Sequence, residues 1–395
     1  MQIVGIICEY NPFHTGHARQ LAELRRRGAS GIVCCMGGNF TQRGDCAVVR
    51  KHVRAEAALR GGADLVLELP LPWATDSAEG FARAGVAVLR ATGVVDTLAF
   101  GSECADAARL RRVAAALQSD AFADVLKREL VKGDSFAAAR ERAAASLCGA
   151  DALALRQPND ILGVEYCKAL AGSGIEPLAL ERVGAAHDGG AAGEYASASY
   201  IRRGLLTGDE SAAAYLTDAM RSLWDAERLA GRAPVTLAAL ERAVLARLRS
   251  MDESDFARYD EGREGLYRRF CAAVGTAGGL DALLDAVKTK RYAHARLRRM
   301  ALAMFLGVTP DARRMKLPYL RVLGMNDRGK VLLREMRGRA TLPILTKPAK
   351  ARELSRDAQR LMEMEARAAD LYALAYPDLA QSGGGSEWRT NPIIV

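Results

Sequence analysis

Over the first 205 residues short apolar runs alternate with amphipathic stretches of helical period, and this alternation restricts the fold more than any other feature of the chain. Ile3–Cys8, Gly31–Cys35, Asp64–Leu69, Thr97–Phe100 and Pro177–Leu180 are strand candidates. His17–Arg27, Val53–Arg60, Ser77–Arg90, Ala107–Ala116, Asp120–Leu130, Asn159–Leu170 and Ser199–Leu206 are helix candidates, several stopped by Gly or Pro. Strands that alternate with helices must pair in parallel through crossovers, which predicts an α/β three-layer sandwich with a parallel sheet. After about Gly208 helical periodicity dominates, in Asp209–Leu229, Thr236–Arg249, Gly265–Ala273, Leu280–Phe305, Asp327–Met336 and Arg352–Tyr376. Strand signals there are few, Tyr319–Leu323 and Leu342–Leu345. The expectation is therefore an α/β domain over residues 1–208 and a mostly helical domain over 209–395. The Ser382-Gly383-Gly384-Gly385-Ser386 stretch predicts a flexible tail near 381–387.

No apolar run approaches 18 residues, which argues against a membrane helix. The start carries no basic segment followed by a cleavage site, and the eight cysteines form no C-x-x-C pair, so free thiols in a reducing cytoplasm are expected and no metal site is. The formal charge of +9 is uneven: residues 281–365 hold 20 Lys and Arg against 9 Asp and Glu. One segment thus carries all the excess, the footprint of a polyanion such as nucleic acid; solvated helix faces are the plainer alternative. Lys288, Lys290, Arg291, Arg296, Arg298 and Arg299 are the candidate RNA contacts. At helical spacing Lys288, Arg291 and Arg299 share a face, with Tyr292 beside them for base stacking. A salt-bridged helix would have the same composition.

The segment that carries chemistry is Glu9-Tyr10-Asn11-Pro12-Phe13-His14-Thr15-Gly16-His17, directly after the first strand and at the start of a helix. Only five histidines occur, and two of them stand three apart around a glycine. A helix N-terminus presents backbone N–H groups and a positive dipole end to phosphate. Gly16 permits close approach, and imidazoles at i and i+3 share one face of the first turn. A capping histidine beside a packed one is the plainer reading. A metal held by both rings and Glu9 lacks further ligands.

A strand, H-x-G-H and a helix opening an α/β domain resemble the nucleotidyltransferase-like group, which attacks ATP at the α-phosphate and releases pyrophosphate. The string Ile6 to His17 is similar to one family in it, the bacterial tRNA(Met) cytidine acetate ligases. Further matching blocks are Asn39-Phe40-Thr41-Gln42-Arg43-Gly44, Lys51 to Glu56, Gly62 to Pro70, Phe100-Gly101-Ser102-Glu103, Pro158 to Tyr166, Thr289-Lys290-Arg291-Tyr292, Arg296 to Arg299 and Leu317 to Gly324. The resemblance covers nearly the whole chain.

It implies a nucleotidyltransferase-like sandwich, activation of acetate by ATP as acetyl-adenylate, and transfer of the acetyl group to N4 of the wobble cytidine of elongator tRNA(Met). ATP is the implied substrate, with Mg²⁺ as its usual companion, and no protein partner is implied. His14, His17 and Lys51 would be catalytic, holding phosphates. The loop Ile7, Cys8, Glu9, Tyr10, Asn11, Pro12, Phe13, His14, Thr15, Gly16, His17, Ala18, Arg19 and Gln20 would line the ATP site. Gly101, Asn159, Arg182, Ser199 and Arg202 would complete it, Ser199 as a cap at a second phosphate-binding helix. Plainer readings stand beside these: a surface lysine or arginine, a turn glycine, ordinary caps at Asn159 and Ser199. The family usually has Asn where Thr15 stands and Lys where Gln157 stands. A small-molecule adenylyltransferase, or an RNA-binding protein on a degenerate nucleotide fold, are the rival functions. The first has no need of the basic half, and the second no need of both phosphate motifs.

Overall fold

The computed structural model describes residues 2–182, 191–192, 195–260, 265–290 and 292–395. The strands in chain order are β1 (Gln2–Cys8), β2 (Ala29–Gly37), β3 (Leu65–Leu69), β4 (Thr97–Ser102), β5 (Glu176–Glu181), β6 (Ala191–Ala192), β7 (Tyr195–Ala196), β8 (Leu320–Met325), β9 (Ile344–Leu345) and β10 (Ile393–Ile394). One sheet runs β10-β8-β3-β2-β1-β4-β5, with β9 on β8; β6 and β7 form a separate hairpin. All pairings in the large sheet are parallel except β3 with β8.

Residues of β1 and β2 alternate between two cores, as the period of two in a strand requires. Val4, Ile6, Ile32, Cys34 and Met36 pack on one face with Leu21 and Leu24 of the Thr15–Arg26 helix and Leu59 of the Lys51–Arg60 helix. Ile3, Ile7, Val33 and Cys35 pack on the other with the Ala78–Ala91 and Pro158–Leu170 helices. This is the expected sandwich. Both faces of the central strands are covered, which is why their apolar runs are continuous.

Three expectations need correction. The chain does not divide cleanly near residue 208. A third core gathers helices from Val235 to Ala312 and Met364 to Ala375, but β8 crosses back to pair with β3, and the Asp327–Arg339 helix packs on the α/β core. Leu280–Phe305 is not one helix. It breaks into Leu280–Val287 and His294–Leu306, with Lys288 in extended geometry (ψ 137°). The tail near 381–387 is not a flexible linker: Gly385 donates its N–H to Asp370, Glu387 is buried, and Ile393–Ile394 adds to the sheet beside β8. Gly-rich composition signals backbone freedom in the unfolded chain, and here tertiary contacts override it. Periodicity missed the Phe136–Cys148 helix, whose Ala-rich face buries only Ala139, Ala143 and Ala144. No described helix is long and apolar enough to cross a membrane.

Candidate active site

The chain runs from β1 outward to β2 and β3, then returns to place β4 on the other side of β1. Such a reversal leaves a crevice beyond the carboxyl ends of the two strands. A cavity of about 700 Å³ lies there. Its wall is built from the end of β1, the helix after it, the ends of β4 and β5, and the start of the Ala198–Thr207 helix.

His14 and His17 stack in this cavity, ring centroids 3.7 Å apart. His14 is the N-cap of the Thr15–Arg26 helix; its Nδ1 accepts from Gly16 N–H at 3.1 Å, and His17 Nδ1 accepts from His14 N–H at 3.3 Å. With both Nδ1 atoms engaged as acceptors, each neutral ring carries its proton on Nε2. Burial, with Arg182 and Arg202 nearby, lowers His14 to about 3; burial and His14 lower His17 well below the usual value. The pair is therefore two neutral Nε2–H donors at neutral pH. A Cβ on Gly16 would stand 2.9 Å from the His14 ring, so only glycine leaves room for this cap. The backbone donors expected here for phosphate are already used: Thr15 N–H by Tyr215 O, Gly16 N–H by His14 Nδ1, His17 and Ala18 N–H by His14 O.

The loop before the helix is pinned from several sides. Asn11 Oδ1 accepts from Val48 N–H at 2.9 Å, and Asn11 O accepts from Arg202 at 2.8 Å. Arg54, buried and unforeseen, donates to Val49, Glu9, Gly37 and Gly38 carbonyls, tying the ends of β1 and β2. Of the expected loop, Ile7, Cys8, Glu9, Tyr10, Asn11, His14, Gly16, His17, Arg19 and Gln20 line the cavity. Pro12, Phe13, Thr15 and Ala18 are not part of its wall; Phe13, fully buried, packs in the core instead.

Gly101, Asn159, Arg182, Ser199 and Arg202 all reach the cavity. Both capping assignments shift by two residues toward the N-terminus. Gln157 is the N-cap of the Pro158–Leu170 helix, and Asn159 is held by Glu103 Oε1 at 2.6 Å, next to Asp160, which accepts from Ser102 and the Glu103 N–H. Ser197, not Ser199, caps the Ala198–Thr207 helix, accepting from Tyr200 N–H, and its Oγ lies 3.1 Å from that of Ser199. A serine doublet at a helix start does not by itself say which hydroxyl caps.

Lys51 is corrected outright. It does not line the cavity; its Nζ is buried between Glu68 and Glu387, 3.7 Å from Glu365, and Arg321 lies 3.1 Å from Glu68 and also pairs with Glu387. Two cations face three carboxylates. Burial and Glu68 raise Glu365 to about 8, so it keeps its proton at neutral pH; against burial, Arg321 and Lys51 hold Glu387 at about 2. The cluster is then neutral overall. Glu68, Glu365 and Glu387 stand close enough to suggest a cation site, but the two basic side chains already fill that role. His52, beside the cluster, is lowered by burial to about 3.

The unfolded chain takes up protons near pH 6.5 that buried His14 and His52 refuse, so their contribution is present above that pH and lost as pH falls toward 3. Glu365 works the other way, its raised value favouring the fold as pH falls from neutrality, so the histidine contribution is read by difference. Between about pH 7.5 and about pH 5.5 the unmodified protein is expected to lose about 1.4 kcal/mol relative to a His52→Gln variant, from urea midpoints at each pH. A difference that does not change with pH would mean the His52 ring is charged in the fold.

The basic segment is dispersed in part. Lys288 turns inward, its Nζ donating to Thr289 and Tyr292 carbonyls, and so leaves the expected basic face; Tyr292 is buried under Arg296 at 5.0 Å and offers no stacking surface. Lys290 and Arg298 are exposed, Arg299 is half-buried, and Arg291 lies outside the described residues. Arg321 is spent in the buried cluster.

The model of the HIGH nucleotidyl transferase family matches residues 1–387. The chain is 35% identical to a tRNA(Met) cytidine acetate ligase of Acetivibrio thermocellus over 100% of both chains. It is 36% identical to that of Caldanaerobacter subterraneus subsp. tengcongensis over 97% of each. Crystal structures of Thermotoga maritima TmcAL, 34% identical and covered over 100% of both chains, superpose with TM-scores of 0.95 for an apo form and 0.93 for a form bound with alpha-thio ATP. With the H-x-G-H helix at the sheet's reversal point and likeness along the full length, the chain belongs to the HIGH nucleotidyl transferases and, within them, to the tRNA(Met) cytidine acetate ligases.

Proposed function

We propose that the protein joins acetate to a cytidine of tRNA(Met) at the expense of ATP, acting in the cytoplasm. The observation that carries the chemistry is the pair of neutral Nε2–H imidazoles sharing one cavity with Arg182 and Arg202. Polyphosphate brings negative charge; fixed donors and guanidinium groups stabilise it without the cost of reorganising water. Acetate oxygen attacks the α-phosphorus, the bond to the bridging oxygen breaks, and pyrophosphate leaves. N4 of the wobble cytidine of elongator tRNA(Met) then attacks the acetyl carbon; AMP leaves with the acetate oxygen that had joined that carbon to phosphorus, and N4 releases one proton. His14, His17, Arg182 and Arg202 bind and orient the phosphates, Ser199 flanks them, Gly101 lets the adenine or ribose approach the backbone, and Asn159 braces the wall through Glu103. Mg²⁺ accompanies ATP as its counter-ion.

Pyrophosphate exchange into ATP tests the reading. Exchange that requires acetate is the expected result; exchange driven instead by a mononucleotide or coenzyme precursor would replace it with a small-molecule adenylyltransferase. Lys290, Arg296, Arg298 and Arg299 are proposed to contact the tRNA backbone, joined by Arg291 on sequence grounds. Affinity for tRNA is then expected to fall steeply with salt, with a log–log slope of several units, and a flat response would remove the polyanion role.

A further inference from the structure

Residues 39–47 form a small hairpin that the reaction scheme leaves unused. Phe40 and Cys46 form an antiparallel bridge, Ala47 N–H donates to Asn39 O at 2.9 Å, and Thr41 N–H donates to Asp45 O at 2.8 Å. Its base belongs to the helical core: Phe40 meets Tyr372 edge to face, and both residues of the bridge pack there. Its tip belongs to the nucleotide cavity: Gln42 and Arg43 line it. Gln42 N–H donates to Glu9 Oε1 at 2.6 Å, just past the end of β1, and its side chain donates to Asp76 O at 3.0 Å.

The next residue touches the basic helix. Gly44 takes φ +78°, and a Cβ there would stand 2.7 Å from Arg299 N and 2.8 Å from the Arg298 carbonyl carbon. One residue step therefore separates the wall of the nucleotide cavity from the backbone of Arg298 and Arg299. Arg43 and Arg202 line the same cavity; burial holds Arg202 below its usual value, Glu9 and Asp45 oppose this, and Arg43 adds to it.

Resting on the acetate-ligase reading above, we propose that Arg43 is a substrate-binding residue for RNA, holding a backbone phosphate next to the acceptor base where the strand passes from the basic helix into the nucleotide cavity. The chemistry fits the position. A base must leave its stack to reach an adenylate in a crevice, and a guanidinium at the mouth fixes the phosphate that the extruded base swings from. The hairpin is fastened to both cores, so the distance from that phosphate to the reacting carbon is set by the fold.

The test is the full-length Arg43→Gln variant, with Arg43→Lys as the charge-conserving control. Acetate-dependent pyrophosphate exchange without tRNA and acetyl transfer to tRNA(Met) are measured in parallel, together with tRNA affinity against salt. The ratio of transfer to exchange is expected to fall about tenfold in Arg43→Gln, mostly as a raised KM for tRNA, and the salt slope to drop by about 1. Arg43→Lys is expected to restore the slope. Exchange and transfer falling in step would assign Arg43 to ATP and overturn the proposal, as would an unchanged ratio and slope. Loss of acetate-dependent exchange in the unmodified protein would overturn the ligase reading instead, and the salt slope would still decide whether Arg43 meets RNA.

Discussion

His17→Ala is expected to lower acetate-dependent pyrophosphate exchange by roughly 10²–10³-fold, the usual effect of deleting one preorganised donor that faces developing charge. The ring supplies that donor at Nε2, and its neutral state is secured by burial beside His14 and Arg182. The same ring accepts the His14 N–H, so its loss also loosens the neighbouring donor and pushes the effect to the upper end. Binding of tRNA, measured by filter retention, is expected to change by less than about twofold, because the basic helix is built on a different core. A variant that exchanges pyrophosphate at the unmodified rate would take His17 out of the reaction.

Glu387→Ala is expected to destabilise the fold by about 3–5 kcal/mol, since it leaves Lys51 and Arg321 buried without their shared carboxylate. Lys51→Met is expected to cost a similar amount by stranding Glu68 and Glu387. The double variant removes one charge of each sign and is expected to be less destabilised than the sum of the two, a coupling read from urea midpoints in a double-mutant cycle. Additive losses would show that the cluster is wetter and weaker than its geometry indicates.

Periodicity alone reveals the sandwich because its signals are local: β1, β2 and their helices each carry a full apolar face. The H-x-G-H wall of the cavity is legible for a related reason, since the motif follows a strand directly and little can come between motif and crevice; Gly101, Asn159, Arg182, Ser199 and Arg202 are assigned to it through the resemblance. What sequence could not show is long-range. Lys51 looks like any helix-start lysine, and only the return of β8 and the tail places Glu387 and Arg321 around it. The second pass through the sheet is six residues, Leu320–Met325, in a mostly helical half, and nothing local says that it joins β3. Ser197 and Ser199 are chemically equivalent in the sequence; the chain's exit from β7 decides which one caps. Arg54 gave no signal beyond its place in a matching block, because arginine is rarely an interior residue.

The buried cluster also orders events in time. A ribosome releases Lys51 and Glu68 early, Arg321 much later and Glu387 later still, yet the four side chains share one buried cluster. The α/β layer can therefore collapse during synthesis but cannot complete that cluster until Glu387 has emerged. Before then Lys51 and Arg321 have only Glu68 and Glu365 to face under a half-closed sheet, a state that cellular proteases can recognise and remove.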